Sequence, residues 1–365
     1  MPNPQSKIDI FPHIFPESFF ARMKELTANN KALAGSIMRW MHIPVLWDLD
    51  SRLAMMRRFP GYRQVLTLSL PAIEYLADER DSPALARLAN EGMAEICARH
   101  PKQFPAFVAS LPMNNVSAAL DEIDYAIGKL GARGVQVFTN VNGRPLDDPE
   151  YFPIFERVVK KYDLPIWLHP VRRSDFPDYL SEKKSKYEIW WLFGWPYETA
   201  ATMARMVFSG MLEKLPKMRI ITHHCGSMAP YLEARISLGM DQMGTRTPDE
   251  DYVSLRKNMK KSPLEYFRMF YGDTATNGSA PSLRCGLDFF GSKHVLFGTD
   301  CPFDPEGGPL FIRRIIRVLD GLKLKRADLD RIYSGNAIEL LRLDIEAEKP
   351  KRARTRSVPR RSRKK

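Results

Sequence analysis

The sequence predicts a single α/β domain of the (β/α)8 barrel type, carrying long loop insertions and a basic C-terminal tail. Three observations predict it. The chain has 365 residues, 44% hydrophobic and 11% aromatic, and barrels of this kind take roughly 250 residues or more as one unit. Strand-like and helix-like runs alternate about eight times without a succession of hairpins, the pattern of a parallel sheet. Four of the strand-like runs end in residues that hold metals or move protons: IDIFPH at 8–13, LPIWLH at 164–169, MRIITHH at 218–224 and HVLFGTD at 294–300. Polar groups at the carboxyl ends of buried strands lie on the rim where a barrel assembles its chemistry.

The elements follow in order. Residues 65–70 (VLTLSL) form a β-rich run closed by Pro71, and residues 82–99 carry Leu85, Leu88, Met93, Ile96 and Cys97 at helical spacing. Residues 104–111 (FPAFVASL) read as the next strand, interrupted early by Pro105, with a helix over 116–130. Residues 134–139 (GVQVFT) precede a loop at Asn142-Gly143 and a helix over 151–162. Further strands end in His169, in His224, near 271–274 and in Asp300. Two stretches break the rhythm, 14–60 and 171–195, both rich in large apolar residues. The second brings Trp190, Trp191 and Trp195 together just after His169. Long insertions at strand ends build pockets and subunit contacts, so Trp191 is read as a substrate-facing residue.

Composition excludes several classes. The net charge of +12 suggests polyanion binding, but ten Lys and Arg residues and no acid crowd into 349–365, leaving a nearly neutral body. The domain is therefore expected over 1–345, with a disordered tail over 346–365 as the one segment suited to nucleic acid. Cys97, Cys225, Cys285 and Cys301 are scattered without a CxxC pair, which suits reduced thiols and a cytoplasmic location. No signal peptide is apparent at the N-terminus, and no run reaches the ~20 apolar residues of a membrane span.

His13, His169 and Asp300 each end a strand, and Zn²⁺ or a similar divalent ion takes such nitrogen and carboxylate donors. Asp300 follows Gly298 and Thr299, small neighbours that leave a carboxylate room to bind the ion and to exchange a proton. Of the adjacent His223 and His224, alternation along a strand lets only one face the site. His224, which precedes the turn-forming Cys225-Gly226-Ser227, is read as the proton shuttle, and His223 as a supporting or structural residue. His42, His100 and His294 are read as surface or packing residues.

The order and flanks of these motifs resemble the amidohydrolase superfamily, in the amidohydrolase-related branch that includes aminocarboxymuconate-semialdehyde decarboxylase and resorcylate-type decarboxylases. The likeness runs from Ile8 to about Leu343. It rests on Arg99-His100-Pro101, Leu111-Pro112-Met113, Gly134-Val135-Gln136-Val137, Leu168-His169-Pro170, His224 with Gly226 and Pro230, Gly298-Thr299-Asp300 with Pro302-Phe303, and Gly335-Asn336-Ala337. The resemblance implies His13, His169 and Asp300 as metal ligands and His224 as general acid/base. The ion is expected to be Zn²⁺, with Mn²⁺ as the alternative. The branch normally carries His-x-His or Glu-x-His on its first strand. Here Phe11 stands at the first of those places, and Asp9 is read as structural. The resemblance also places Arg52 near a substrate carboxylate, and implies a non-oxidative decarboxylase of a small aromatic or dienoic carboxylate, commonly a homodimer. A hydrolase using the same residues, or a barrel that binds ligand without turnover, are the alternatives.

Overall fold

The computed structural model describes residues 5–28 and 38–345. The expectation for the tail at 346–365 and part of the aromatic run at 36–47 fall outside these residues. The strands are β1 (Lys7–Asp9), β2 (His13–Ile14), β3 (Tyr62–Leu68), β4 (Ala106–Phe107), β5 (Ala109–Ser110), β6 (Val135–Phe138), a small pair β7 (Asn140–Val141) and β8 (Arg144–Pro145), β9 (Ile166–His169), β10 (Ile220–Thr222), β11 (Tyr271–Asp273) and β12 (Val295–Leu296).

Among the described residues, every pairing apart from the antiparallel β7–β8 pair is parallel. β3 stands between β1 and β2 and also pairs with β4, while a six-stranded sheet runs β12-β11-β10-β9-β6-β5. Parallel strands need crossovers, and helices such as Ser82–Arg99, Val116–Gly128, Gly194–Phe208 and Ala280–Phe290 supply them. The α/β architecture expected from the alternation is thus present. Further backbone bonds link the sheets: Val108 N–H donates to Leu66 O at 2.9 Å, and Ile10 N–H to Phe297 O at 3.0 Å. Beside the latter, Asp300 N–H donates to Phe11 O at 3.1 Å and His13 N–H to Cys301 O at 2.7 Å.

Burial explains why these segments take these forms. β6 and β9 are buried at every position, as strands covered on both faces are, and the one polar residue inside β6, Gln136, donates to Leu68 O at 2.9 Å. Helix Ser82–Arg99 buries Leu85, Ala86, Ala89, Met93 and Ile96 along one stripe. It stops at His100 because the residue before a proline, here Pro101, disfavours helical backbone. Helix Val116–Gly128 begins where the Asn115 side chain accepts the Ala118 N–H at 3.0 Å, a cap contributing about 1 kcal/mol.

The core has two compartments. The larger lies between strands and helices. The smaller gathers Ile8, Ile10, Phe11, Val65, Val108, Trp167, Ile221 and Leu296 from successive strands and packs against Leu340 and Leu341 of the last helix. The stretch at 14–60 contributes to packing: it contains helices Glu17–Thr27, Pro44–Trp47 and Leu49–Met56, with Phe15 and Phe20 stacked at 5.6 Å and Phe20 and Trp47 at 5.8 Å. The stretch at 171–195 instead leaves Phe176, Tyr179, Leu180 and Tyr187 exposed.

Candidate metal and acid–base site

The strand ends converge as their sequence positions imply. His13 opens β2, opposite Thr67, and His169 closes β9, opposite Phe138. Both histidines are buried. Ligating atoms of His13, His169 and His223 lie within 4.8 Å of one another, as do those of His223, His224 and Asp300. Asp300 joins the two groups: its Oδ1 is 3.4 Å from His13 Nε2 and 3.5 Å from His223 Nε2, and its Oδ2 is 3.8 Å from His224 Nε2.

His223 enters the site against the sequence expectation. Alternation assumes that the strand continues, but β10 ends at Thr222. His224 and Cys225 then take left-handed backbone, with φ of 55° and 56°. That turn swings the His224 ring back over His223, so the two stack with centroids 3.8 Å apart. Asp273, at the end of β11, holds the turn: its Oδ1 accepts the N–H groups of Cys225 and Ala275, each at 3.0 Å. Its Oδ2 meets His223 Nδ1 at 2.5 Å. The sequence signal for this was the pairing of a strand-end aspartate with one of two adjacent histidines.

Phe11, wholly buried, lies flat against the other side of His223, with centroids 4.0 Å apart and planes at 18°. It is an apolar wall where the family pattern has a ligand. Asp9 is structural, as read from the sequence. It accepts the N–H groups of Phe11 and Thr299 at 3.1 Å each, the Tyr62 hydroxyl at 2.5 Å and the Thr299 hydroxyl.

The structure places Arg52 elsewhere than expected. Its side chain is fully buried; Nε donates to Val45 O at 2.9 Å, Nη1 to Gln64 Oε1 at 2.6 Å and Nη2 to His13 O. Arg52 therefore braces the backbone of His13 from behind and offers no exposed face to a substrate. Trp191 is 38% exposed and gives its indole N–H to Glu188 at 2.7 Å. Trp195 is the indole beside the site, edge-on to His169 with centroids 5.9 Å apart. Phe138 and Phe303 complete the aromatic walls, 5.4 Å from His169 and 5.6 Å from His13. The 171–195 insertion thus reaches the site through Trp195 rather than Trp191, and the 14–60 insertion through Arg52, from behind His13. His42 is exposed, and His100 and His294 are partly exposed.

The electrostatics suit a cation. Burial pushes the pKa of His13 down, and burial together with the neighbouring histidines pushes that of His169 well down, so both rings stay neutral. Burial and the adjacent His223 lower His224 as well. Burial works against a charged His223 too, but Asp273 and Asp300 outweigh it and raise its pKa to about 9. Burial alone would raise the Asp300 carboxyl, yet His13, His223 and His224 hold it well below the usual carboxylate range.

These residues fit a divalent ion. His13 Nε2 and His223 Nε2 are buried with no hydrogen-bond partner, and buried nitrogens without partners are rare unless something occupies the space between them. His13 and His169 as neutral imidazoles and Asp300 as an ionised carboxylate are in the donor states that a metal requires.

Comparison with known proteins agrees with this geometry. Residues 37–343 match the amidohydrolase family model. The chain is 30% identical to the 2-amino-3-carboxymuconate-6-semialdehyde decarboxylase of Dictyostelium discoideum, over 82% of this chain and 77% of that protein. It is 29% identical to the gamma-resorcylate decarboxylase of a Rhizobium species, over 87% of this chain and 96% of that enzyme. Among solved structures, the dihydroxybenzoic acid decarboxylase of a Polaromonas species, holding manganese and the inhibitor 2-nitroresorcinol, superposes with a TM-score of 0.73 at 25% identity, covering 93% of this chain and 98% of that one. With a family match over most of its length and relatives of this kind, the chain belongs to the amidohydrolase family, in the branch related to aminocarboxymuconate-semialdehyde and resorcylate decarboxylases.

Proposed function

We propose that this protein is a metal-dependent, non-oxidative decarboxylase of a small aromatic or dienoic carboxylate. The observation that carries the reading is the meeting of His13, His169 and Asp300 with His224 at the strand ends, in a chain whose relatives are decarboxylases. His13, His169 and Asp300 are the proposed ligands and His224 the proton carrier. We read the strand order, with the bonds from Ile10 and His13 to residues 297 and 301, as a closed (β/α)8 barrel.

When bound, a divalent ion, Zn²⁺ or Mn²⁺, supplies a positive charge that fixes the substrate's oxygens and tempers charge developing on them. The chain's own residues do the rest. Phe11, Phe138, Trp195 and Phe303 form an apolar surround that favours a flat ring and keeps bulk water from the reacting carbon. His224 gives a proton from its ring to that carbon, and Asp300 Oδ2, 3.8 Å from His224 Nε2, steadies the protonated imidazole before transfer. The bond from that carbon to the carboxylate then breaks, its electrons return to the ring or diene, and CO₂ leaves. Arg52 contributes by holding the His13 backbone.

Location and assembly extend the reading. Cysteines that are all free suit a cytoplasmic protein, and no helix among the described residues is long and apolar enough to cross a membrane. The exposed aromatic residues at 171–195 suit a homodimer contact. The test is incubation of the metal-loaded protein with hydroxybenzoates and dienoic carboxylates in D₂O. The expected products are CO₂ and a ring or diene carrying one deuterium at the former carboxyl carbon. Cleavage of amides or lactones without CO₂ would replace this reading with hydrolysis.

A further inference from the structure

We propose that His223 is itself a metal ligand, taking over the coordination place that Phe11 cannot fill, so that the ion is held by three histidines, His13, His169 and His223, together with Asp300. This inference rests on the site being a metal site. It concerns a residue that alternation along the strand assigns to the opposite face.

Four observations support it. First, all three rings are prepared in the same way. His169 directs Nδ1 to Pro170 O at 2.7 Å, and His223 directs Nδ1 to Asp273 Oδ2 at 2.5 Å. His13 directs Nδ1 to Thr67 Oγ1 at 3.3 Å, while the Thr67 hydroxyl donates to Pro12 O at 2.8 Å and so keeps a lone pair for His13. Each ring thus has an oxygen partner at Nδ1 and turns Nε2 to the centre, the arrangement that orients metal-binding imidazoles.

Second, His223 Nε2 is buried with no hydrogen-bond partner, like His13 Nε2. Most buried side-chain polar atoms have partners, so an unpaired Nε2 among the donors of the site favours a ligand there. Third, the spacing fits. Two donors each about 2.1 Å from a shared tetrahedral ion stand ~3.4 Å apart, and Asp300 Oδ1 lies 3.4 Å from His13 Nε2 and 3.5 Å from His223 Nε2.

Fourth, Phe11 and His223 behave as a pair. The phenyl ring lies flat on the imidazole, 4.0 Å away, and His224 covers the opposite face at 3.8 Å. Held between the two, His223 can rotate little. Loss of a ligand on the first strand and presentation of one after β10 are two sides of one packing arrangement. His224, whose Nε2 lies 3.8 Å from Asp300 Oδ2, is the ring left to carry protons.

The deciding experiment counts imidazoles on the bound ion, with no reference to turnover. Protein stripped of metal is titrated with Co²⁺ and with Zn²⁺, and the zinc form is analysed by X-ray absorption, for wild type, His223→Ala and His224→Ala. Three imidazoles are expected in wild type and in His224→Ala. His223→Ala should show two, with metal affinity weaker by on the order of 100-fold and a changed cobalt absorption spectrum. Two imidazoles in wild type, or an unchanged count in His223→Ala, would overturn the inference. If His223→Ala does not fold, the wild-type and His224→Ala counts decide. A three-imidazole ion in a protein that releases no CO₂ would refute the decarboxylase reading and leave this one standing. Two imidazoles with normal CO₂ release would do the reverse.

Discussion

Two buried polar clusters lie side by side at the end of the first strand, and they are built on opposite rules. In one, Asp9, Tyr62, Gln64, Arg52 and Thr299 satisfy each other: Asp9 receives four donors, and each Arg52 nitrogen has an acceptor. In the other, the three histidine rings are anchored through Nδ1, but His13 Nε2 and His223 Nε2 remain without partners around Asp300. Both clusters are wholly or largely buried and charged, so burial alone does not separate them. The difference lies in closure. A network that completes its own hydrogen bonds stabilises a backbone, whereas one that leaves inward-facing lone pairs is prepared for a ligand.

The comparison can be broken most directly at Asp300, which lies in the open cluster. Asp300→Asn removes a ligand charge and a proton acceptor while keeping shape. Decarboxylation should fall on the order of 10⁴-fold, with little change in thermal stability. A large loss of folding stability with activity retained would make this cluster structural too.

The next effect belongs to the closed cluster. Arg52→Leu strips the partners from Val45 O, Gln64 Oε1 and His13 O. It should cost about 4 kcal/mol of folding stability in denaturant melts, as broken buried charge networks do. A variant of normal stability with a raised KM would instead return Arg52 to the substrate-binding role read from the sequence.

Glu74 offers a third case, belonging to neither cluster. Its side chain is buried with Oε1 unpartnered, and burial raises its pKa to about 7. The folded state therefore holds this proton more tightly than the unfolded chain does. Stability should fall as pH rises from about 4.5 and reach its full loss above about 7. The loss should be about 3 kcal/mol at pH 8. Glu74→Gln should flatten that slope, which melts at pH 5 and pH 8 would reveal. An identical pH dependence in the variant would place the slope in other groups.

The smallest effect distinguishes two indoles. Trp195→Ala, beside His169, should raise KM about tenfold, or ~1.4 kcal/mol. Trp191→Ala, facing solvent and Glu188, should change it less than twofold. Equal effects would mean that the pocket extends across the exposed part of the insertion.

Much of this was legible in the residues. The alternation of strands and helices, the helices at 82–99 and near 116–128, and the convergence of His13, His169, His224 and Asp300 all follow from local signals: apolar periodicity, proline stops and polar residues at strand ends. The strand expected at 104–111 was found in two short pieces, Ala106–Phe107 and Ala109–Ser110. The helix expected at 151–162 runs as Phe152–Glu156 and then widens into a π-type turn over Arg157–Tyr162. Arg52 and Trp191 were placed by sequence position, and sequence position does not say which way a long side chain turns.

By itself, the sequence determined the parallel α/β layout and most of the chemical inventory at the strand ends, because a buried strand or an amphipathic helix is specified by its own residues. Tertiary structure decided which members of that inventory meet. His223 faces the centre because Asp273, on the neighbouring strand, anchors the left-handed turn at His224 and Cys225. Arg52 faces inward because Val45, Gln64 and His13 present acceptors to it. Both outcomes depend on partners far away in the chain, and a local period of two or 3.6 residues carries no information about them.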